Sequence, residues 1–153
     1  MLHGYCRDVH IEFGAKHFDK AGFVVDYGQL KEIRRWLEEK FDHTTVLQAD
    51  DPLVTLFRGL EKEGSVKLTT VPTVSCEGWA MYIAKYVDQE IQRISQGRAW
   101  VNSVEVRENG KNSSKYTNRV LDASTNTIVT MDEDITFDDL NELCKDMESS
   151  ANE

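Results

Sequence analysis

The sequence predicts an α+β domain, with helices on one face of a mainly antiparallel sheet. Val9, Ile11 and Phe13 alternate with Asp8, His10 and Glu12, and the same two-residue period returns at residues 66–71 and 100–108, as half-buried strands require. Leu30, Ile33, Leu37 and Phe41, and later Trp79, Ile83, Tyr86, Val87, Ile91 and Ile94, recur instead with the 3.6-residue period of a helix face. The predicted order is two strands, a helix, a small helix, a strand, a helix and two strands, and such groups segregate into separate layers.

Each element has a local reason. Gly14 and the residues after it connect the first strand to Phe23, Val24 and Val25, expected to return antiparallel as a hairpin. Gly28 breaks that strand, and from Gln29 the helix begins, with Lys31, Glu32, Arg34, Arg35, Glu38 and Glu39 mostly outside its apolar stripe. Its C-terminal end delivers adjacent Asp42 and His43. Residues 44–52 are expected to form a loop closed by Pro52, and Leu53, Leu56, Phe57 and Leu60 a weaker helix. After the strand that Pro72 stops, Ser75 caps the longest helix and Gly97 ends it. The strand to Glu108 turns at Asn109-Gly110 and pairs with a partner expected from near Tyr116 to Leu121. Thr136 and Asp139 resemble a capping box for a short acidic helix whose stripe is Phe137, Leu140, Leu143, Cys144 and Met147. That helix is expected to cover an exposed edge or a subunit surface, the alternative being a partner-binding segment.

Composition sets bounds. With 153 residues, 40% of them apolar, the chain can build a real core. Two segments are expected, a main domain over residues 1–121 and an extension over 122–153 that carries the acidic helix. Eighteen Lys and Arg against 27 Asp and Glu give a net charge of -9, which disfavours nucleic acid and anionic membranes as partners. No long apolar run or basic leader stands in the sequence, so the expectation is a cytoplasmic protein. Cys6, Cys76 and Cys144 are widely spaced with no CxxC, which predicts reduced thiols.

Residue types alone reach only a possible acid/base site. A His at a helix end is often just a partner of the helix dipole, and a carboxylate at a strand end, such as Glu108, is often merely solvated. His3, His10 and His17 follow neither the HxH spacing of a strand ligand pair nor the HxxxH spacing of a helix pair.

Five stretches nonetheless resemble a known family: LHGY (residues 2–5), DKAGFVVDYGQLK (19–31), FDH (41–43), PTVSCEGWA (72–80) and VRENG (106–110). The resemblance, over roughly residues 2–116, is to the 6-pyruvoyl- and 6-carboxy-tetrahydropterin synthases. It implies the tunnelling fold: an antiparallel four-stranded sheet with two main helices on one face, the acidic C-terminal helix being appended. It also implies a zinc held by three histidines, a proton-moving cysteine assisted by an Asp-His pair, and a glutamate that anchors the pterin ring. Asp42 and His43 fall on the Asp-His pair and Glu108 on the anchor, a carboxylate able to accept from the 2-amino and ring N–H edge. Glu77, at the start of the second long helix, is expected to be structural.

Two registers describe the N-terminal segment. In the gapless one His3 is a zinc ligand, the second histidine of HGH is Tyr5, and the first zinc histidine and the cysteine fall before Met1. In the other, GYCRDVH supplies Cys6 as the catalytic thiol and His10 as a ligand, at the cost of about seven missing residues and most of a strand of typical length. Neither register completes the zinc set, so the chain is expected to be an N-terminally truncated or degenerate relative. The resemblance therefore implies a zinc-dependent lyase acting on 7,8-dihydroneopterin triphosphate, in queuosine, deazapurine or pterin biosynthesis, as a homo-oligomer (trimer or hexamer). The alternative is a metal-deficient tunnelling-fold protein that binds a pterin or purine, or acts as a scaffold. A weaker third reading is an interaction module working through the acidic helix.

Overall fold

The computed structural model describes residues 4–125, 127–132 and 134–150. The elements are β1 (Asp8–Ala15), α1 (Lys31–Phe41), β2 (Thr45–Gln48), α2 (Val54–Lys62), β3 (Leu68–Val71), α3 (Cys76–Ser95), β4 (Ala99–Arg107), β5 (Ser113–Thr117), β6 (Arg119–Asp122), β7 (Thr127–Thr130) and α4 (Phe137–Ser150). The main sheet is antiparallel in the order β1-β4-β5, with Asp8 opposite Arg107 and Ser103 opposite Thr117. Two further pairs accompany it, β2 with β3 in parallel and β6 with β7 antiparallel.

The α+β class and the antiparallel sheet agree with the sequence; three details differ. Phe23, Val24 and Val25 form no strand, so the main sheet has three strands where four are expected. Instead the segment closes as a loop: the Asp19 carboxylate accepts from the amides of Ala21 and Phe23, and Arg98 Nη2 donates to the Val24 carbonyl at 2.8 Å. Asp26 then accepts from Gly28 N and caps a 3₁₀ turn over Tyr27–Leu30 that leads into α1. The expected loop after His43 holds β2, whose four residues pair with β3. The partner of β4 begins at Ser113, not near Tyr116, and residues 119–122 turn away to pair with β7.

The core lies between α3 and the sheet. Ile83, Val87 and Ile91 of α3 and Val101, Val104 and Val106 of β4 are fully buried, with Val9, Ile11 and Phe13 packed against them. α1 joins this core through Ile33 and through Trp36, which stacks on Tyr86 at 3.8 Å between ring centroids. Leu47, Val54, Phe57 and Leu68 form a smaller second cluster, between β2, α2 and β3. Ser75 caps α3 by accepting from Gly78 N, and the helix ends where Gln96 and Gly97 take positive φ and Gly97 N donates to the Gln92 carbonyl.

α4 rests on α3 and beside β3. Leu140 and Cys144 are buried, and Glu148 accepts from Arg58 Nη2 and Thr70 Oγ1. Thr136 and Asp139 form the expected reciprocal cap: Asp139 N donates to Thr136 Oγ1, and the Asp139 carboxylate accepts from Thr136 N. The Thr136 hydrogen bonds hold the Asp139 carboxyl below its ordinary value. A carboxyl lowered by folding stabilises above its unfolded pKa, about 3.9, and loses that contribution as pH falls through the folded value. Acidification below about pH 4 should therefore weaken the first turn of α4, and Asp139→Asn should reduce the pH-dependent part of that change; far-UV ellipticity against pH measures both.

The cysteines are free thiols. Burial, helped by the Glu148 charge, pushes the Cys144 thiol up to about 11, whereas Cys6 is exposed. A disulfide reagent near neutral pH should modify Cys6 first and Cys144 only as the chain unfolds; mass spectrometry of partly labelled protein tests the order.

Candidate active site

Two open grooves meet at Arg7. The first, of about 610 Å³, is lined by Tyr5, Cys6 and Arg7 on one side and by Phe41, Asp42, His43, Thr44 and Lys67 on the other. The end of α1 is fixed there by side chains around β3. Lys67 Nζ donates to the carbonyls of Glu38 (3.0 Å) and Asp42 (2.9 Å), a cation placed at a helix C-terminus, and Thr69 Oγ1 donates to the Lys40 carbonyl. His43 follows with φ +50°, in the left-handed region, and its side chain is 94% exposed. Its Nε2 lies 3.9 Å from Asp42 Oδ1, beyond hydrogen-bond reach, so Asp42 does not hold the imidazole tautomer in this arrangement. The structure thus brings Cys6, Asp42 and His43 to one groove.

The second groove contains Glu108, beside Thr73, Ser75, Glu77 and Ser114. Glu108 follows β4, and the β1–β4 register puts Arg7 across from it. Arg7 Nη2 lies 3.6 Å from Glu108 Oε1, Nη1 donates to the Val74 carbonyl at 3.1 Å, and the guanidinium sits 4.3 Å over the Trp79 ring. Glu77 accepts from Ser114 Oγ at 2.6 Å, which chiefly holds its carboxyl below the usual range; it ties α3 to β5, the structural role expected of it.

Of the two expected zinc ligands, only His10 lies among the described residues. His10 is exposed on β1 opposite Glu105, away from the core-facing Val9 and Ile11. Arg107, then Ser113, hold the Glu105 carboxyl low, with a smaller contribution from His10. His3 lies outside the described residues. Among the described residues no three of His, Cys, Asp and Glu converge to hold a metal ion, so they do not fit the three protein ligands of a catalytic zinc.

Arg7, Lys67 and Trp79 were not legible as site residues. Arg7 carried a signal all the same: it shares parity with Val9, Ile11 and Phe13, so the alternation turns a cation toward the core side, where it requires a partner. Among the described residues no helix is long and apolar enough to cross a membrane.

Fold comparison defines the class. An uncharacterised protein from Wolinella succinogenes superimposes with a TM-score of 0.64 at 22% identity, over 77% of this chain and 79% of that one. A 6-pyruvoyl tetrahydropterin synthase from Plasmodium vivax does so at 0.54 and 19%, over 76% and 80%. This is the tetrahydropterin synthase fold. The sequence pattern of the 6-pyruvoyl tetrahydropterin synthase family matches residues 1–119, and the chain belongs to that family. The 6-carboxy-5,6,7,8-tetrahydropterin synthases of Rickettsia felis and Rickettsia conorii are each 39% identical over 52 residues, 33% of this chain. The match spans 38% of the length of those curated relatives.

Proposed function

We propose that the chain is a cytoplasmic lyase subunit of the tetrahydropterin synthase type, acting on 7,8-dihydroneopterin triphosphate, with a 6-carboxy product in a queuosine or deazapurine pathway. The observation that carries this reading is the convergence of Cys6, Asp42 and His43 on one groove, with Glu108 in the adjoining one. An exposed thiol and imidazole can exchange protons with a bound side chain, His43 as general acid or base and Cys6 as its partner. Asp42 supplies a negative charge beside the imidazole, and Glu108 accepts from the amino and ring N–H edge of the pterin. Identity to the Rickettsia enzymes favours the carboxy product over the pyruvoyl one. His3 and His10 are the zinc ligands this reading needs. A homo-oligomer, trimer or hexamer, is part of the proposal, as the family resemblance implies; β1 and β5 are the edge strands of the main sheet available for such contacts.

Zinc content, light-scattering mass and turnover of 7,8-dihydroneopterin triphosphate with added zinc test the proposal together. Turnover that falls about 100-fold or more in His43→Ala is expected. A second reading, a pterin- or purine-binding protein without catalysis, is supported by the lack of a converged ligand set among the described residues. Pterin binding with no turnover in the zinc-loaded protein would select it and overturn the lyase.

A further inference from the structure

We infer that Arg7 is a specificity-determining placeholder: in the free chain its guanidinium occupies the position that the amino and ring N–H edge of a flat heterocycle takes against Glu108, and ligand entry exchanges one for the other. The inference rests on the proposed anchoring role of Glu108. A guanidinium is planar and presents two N–H donors side by side, as does the amidine-like edge of a 2-amino-4-oxo-pyrimidine ring. Arg7 shows what such a group does here. It stacks over the indole of Trp79, a residue 8% exposed, turns Nη2 toward the Glu108 carboxylate and gives Nη1 to the Val74 carbonyl. Indole face, carboxylate and backbone acceptor are what a ring of that class would use.

Two further observations make Arg7 exchangeable. Its contact with Glu108, at 3.6 Å, is longer than a hydrogen bond, so the ligand displaces a loose ion pair. Arg7 also lies just before β1, in residues 4–7 that have no regular structure, so it can swing away without breaking the β1–β4 ladder that starts at Asp8. The consequence concerns both grooves, because Arg7 is the lining residue they share. While it sits on Trp79 it separates Glu108 from Cys6 and His43. Once displaced, it leaves one continuous path from the ring anchor to the proton-exchanging groups and stays within reach of an anionic tail.

The test is a fluorescence titration of the full chain with pterin itself, in the wild type, Arg7→Met, Glu108→Gln and the double variant. Methionine keeps an apolar stem on Trp79 and removes the competing donors. Arg7→Met should bind pterin roughly fivefold more tightly, the scale of a partly exposed ion pair removed from competition, and the gain should vanish in the Glu108→Gln background. Arg7→Lys, which keeps the charge and loses the planar edge, should fall between wild type and Arg7→Met and guards against a packing artefact. If Glu108→Gln weakens binding but Arg7→Met binds no more tightly, the placeholder is overturned and the anchor stands. Unchanged binding in Glu108→Gln overturns the anchor and the placeholder with it.

Discussion

Trp36→Ala should destabilise the chain by about 2–4 kcal/mol, more than other substitutions on α1, because Trp36 is where that helix is held. Its ring stacks on Tyr86 of α3 at 3.8 Å, meets Phe41 edge-on at 5.8 Å and meets Phe137 of α4 edge-on at 5.9 Å. One side chain therefore joins α1, α3 and α4. Trp36 is half-buried, which keeps the expected loss below that of a fully enclosed indole. Trp36→Phe, which retains a stacking partner for Tyr86, should recover more than half of the loss. Urea denaturation measures both values, and amide exchange locates the effect: exchange should rise most in residues 31–43, the segment that delivers Asp42 and His43. A uniform rise across α3 would show that α1 is held elsewhere.

Trp36 also shows what the sequence could and could not reveal. The stripe Leu30, Ile33, Leu37 and Phe41 identified the helix and its buried side correctly, yet the residue that makes most of its aromatic contacts lies beside that stripe. Periodicity reports which face is apolar, while the partner across the interface, here Tyr86, depends on tertiary packing that no local pattern encodes. Phe23-Val24-Val25 failed for a related reason. Three apolar residues satisfy a strand or an inward-turned loop equally well, and the Asp19 and Asp26 side chains satisfy the nearby amides locally. Residues 45–48 were missed because a four-residue parallel strand carries almost no alternation of its own; its pairing with β3 is long-range.

The candidate site divides along the same line. Periodicity places Asp42 and His43 at a helix end and Glu108 at a strand end, while a site role for them came from the family resemblance and not from the pattern. That Cys6 shares a groove with His43, and that Arg7 lines both this groove and the one holding Glu108, follows from how residues 5–7 approach the end of α1 and how β1 pairs with β4, which one chain's sequence does not state. The Cys6 reading came from the register with a deletion, and the uninterrupted eight-residue β1 came from the gapless one. The strand is uninterrupted and Cys6, just ahead of it, lines the same groove as His43.

Asp88→Ala should cost about 3–5 kcal/mol, the range for removing one partner from a buried charged network. β5 ends at Thr117, and beyond it, among the described residues, β4 has no strand on that side to pair with at Val101. Two side chains take over the ladder: Asp88 Oδ1 accepts from Val101 N at 2.8 Å, and Asn118 Nδ2 donates to the Val101 carbonyl at 3.0 Å. Asp88 and Asn118 are 8% and 1% exposed. Asp88 also accepts from Gln92 Nε2 at 2.5 Å and lies 3.7 Å from Arg119 Nη2, whose Nε is buried with no partner among the described residues. Deleting the carboxylate therefore strands a buried backbone donor and removes the anion 3.7 Å from a cation whose Nε has no partner among the described residues. Asp88→Asn can still accept from Val101 N but turns an NH2 toward Gln92 and Arg119, and should cost only about 1–2 kcal/mol, the share owed to those two donors. Asn118→Ala should cost about 1–3 kcal/mol through the orphaned Val101 carbonyl. Equal losses in the two Asp88 variants would place the effect on the Gln92 and Arg119 contacts and not on the bridged ladder. A loss under about 1 kcal/mol in Asp88→Ala would mean that water reaches Val101, and that α3 is joined to β4 by apolar contact alone.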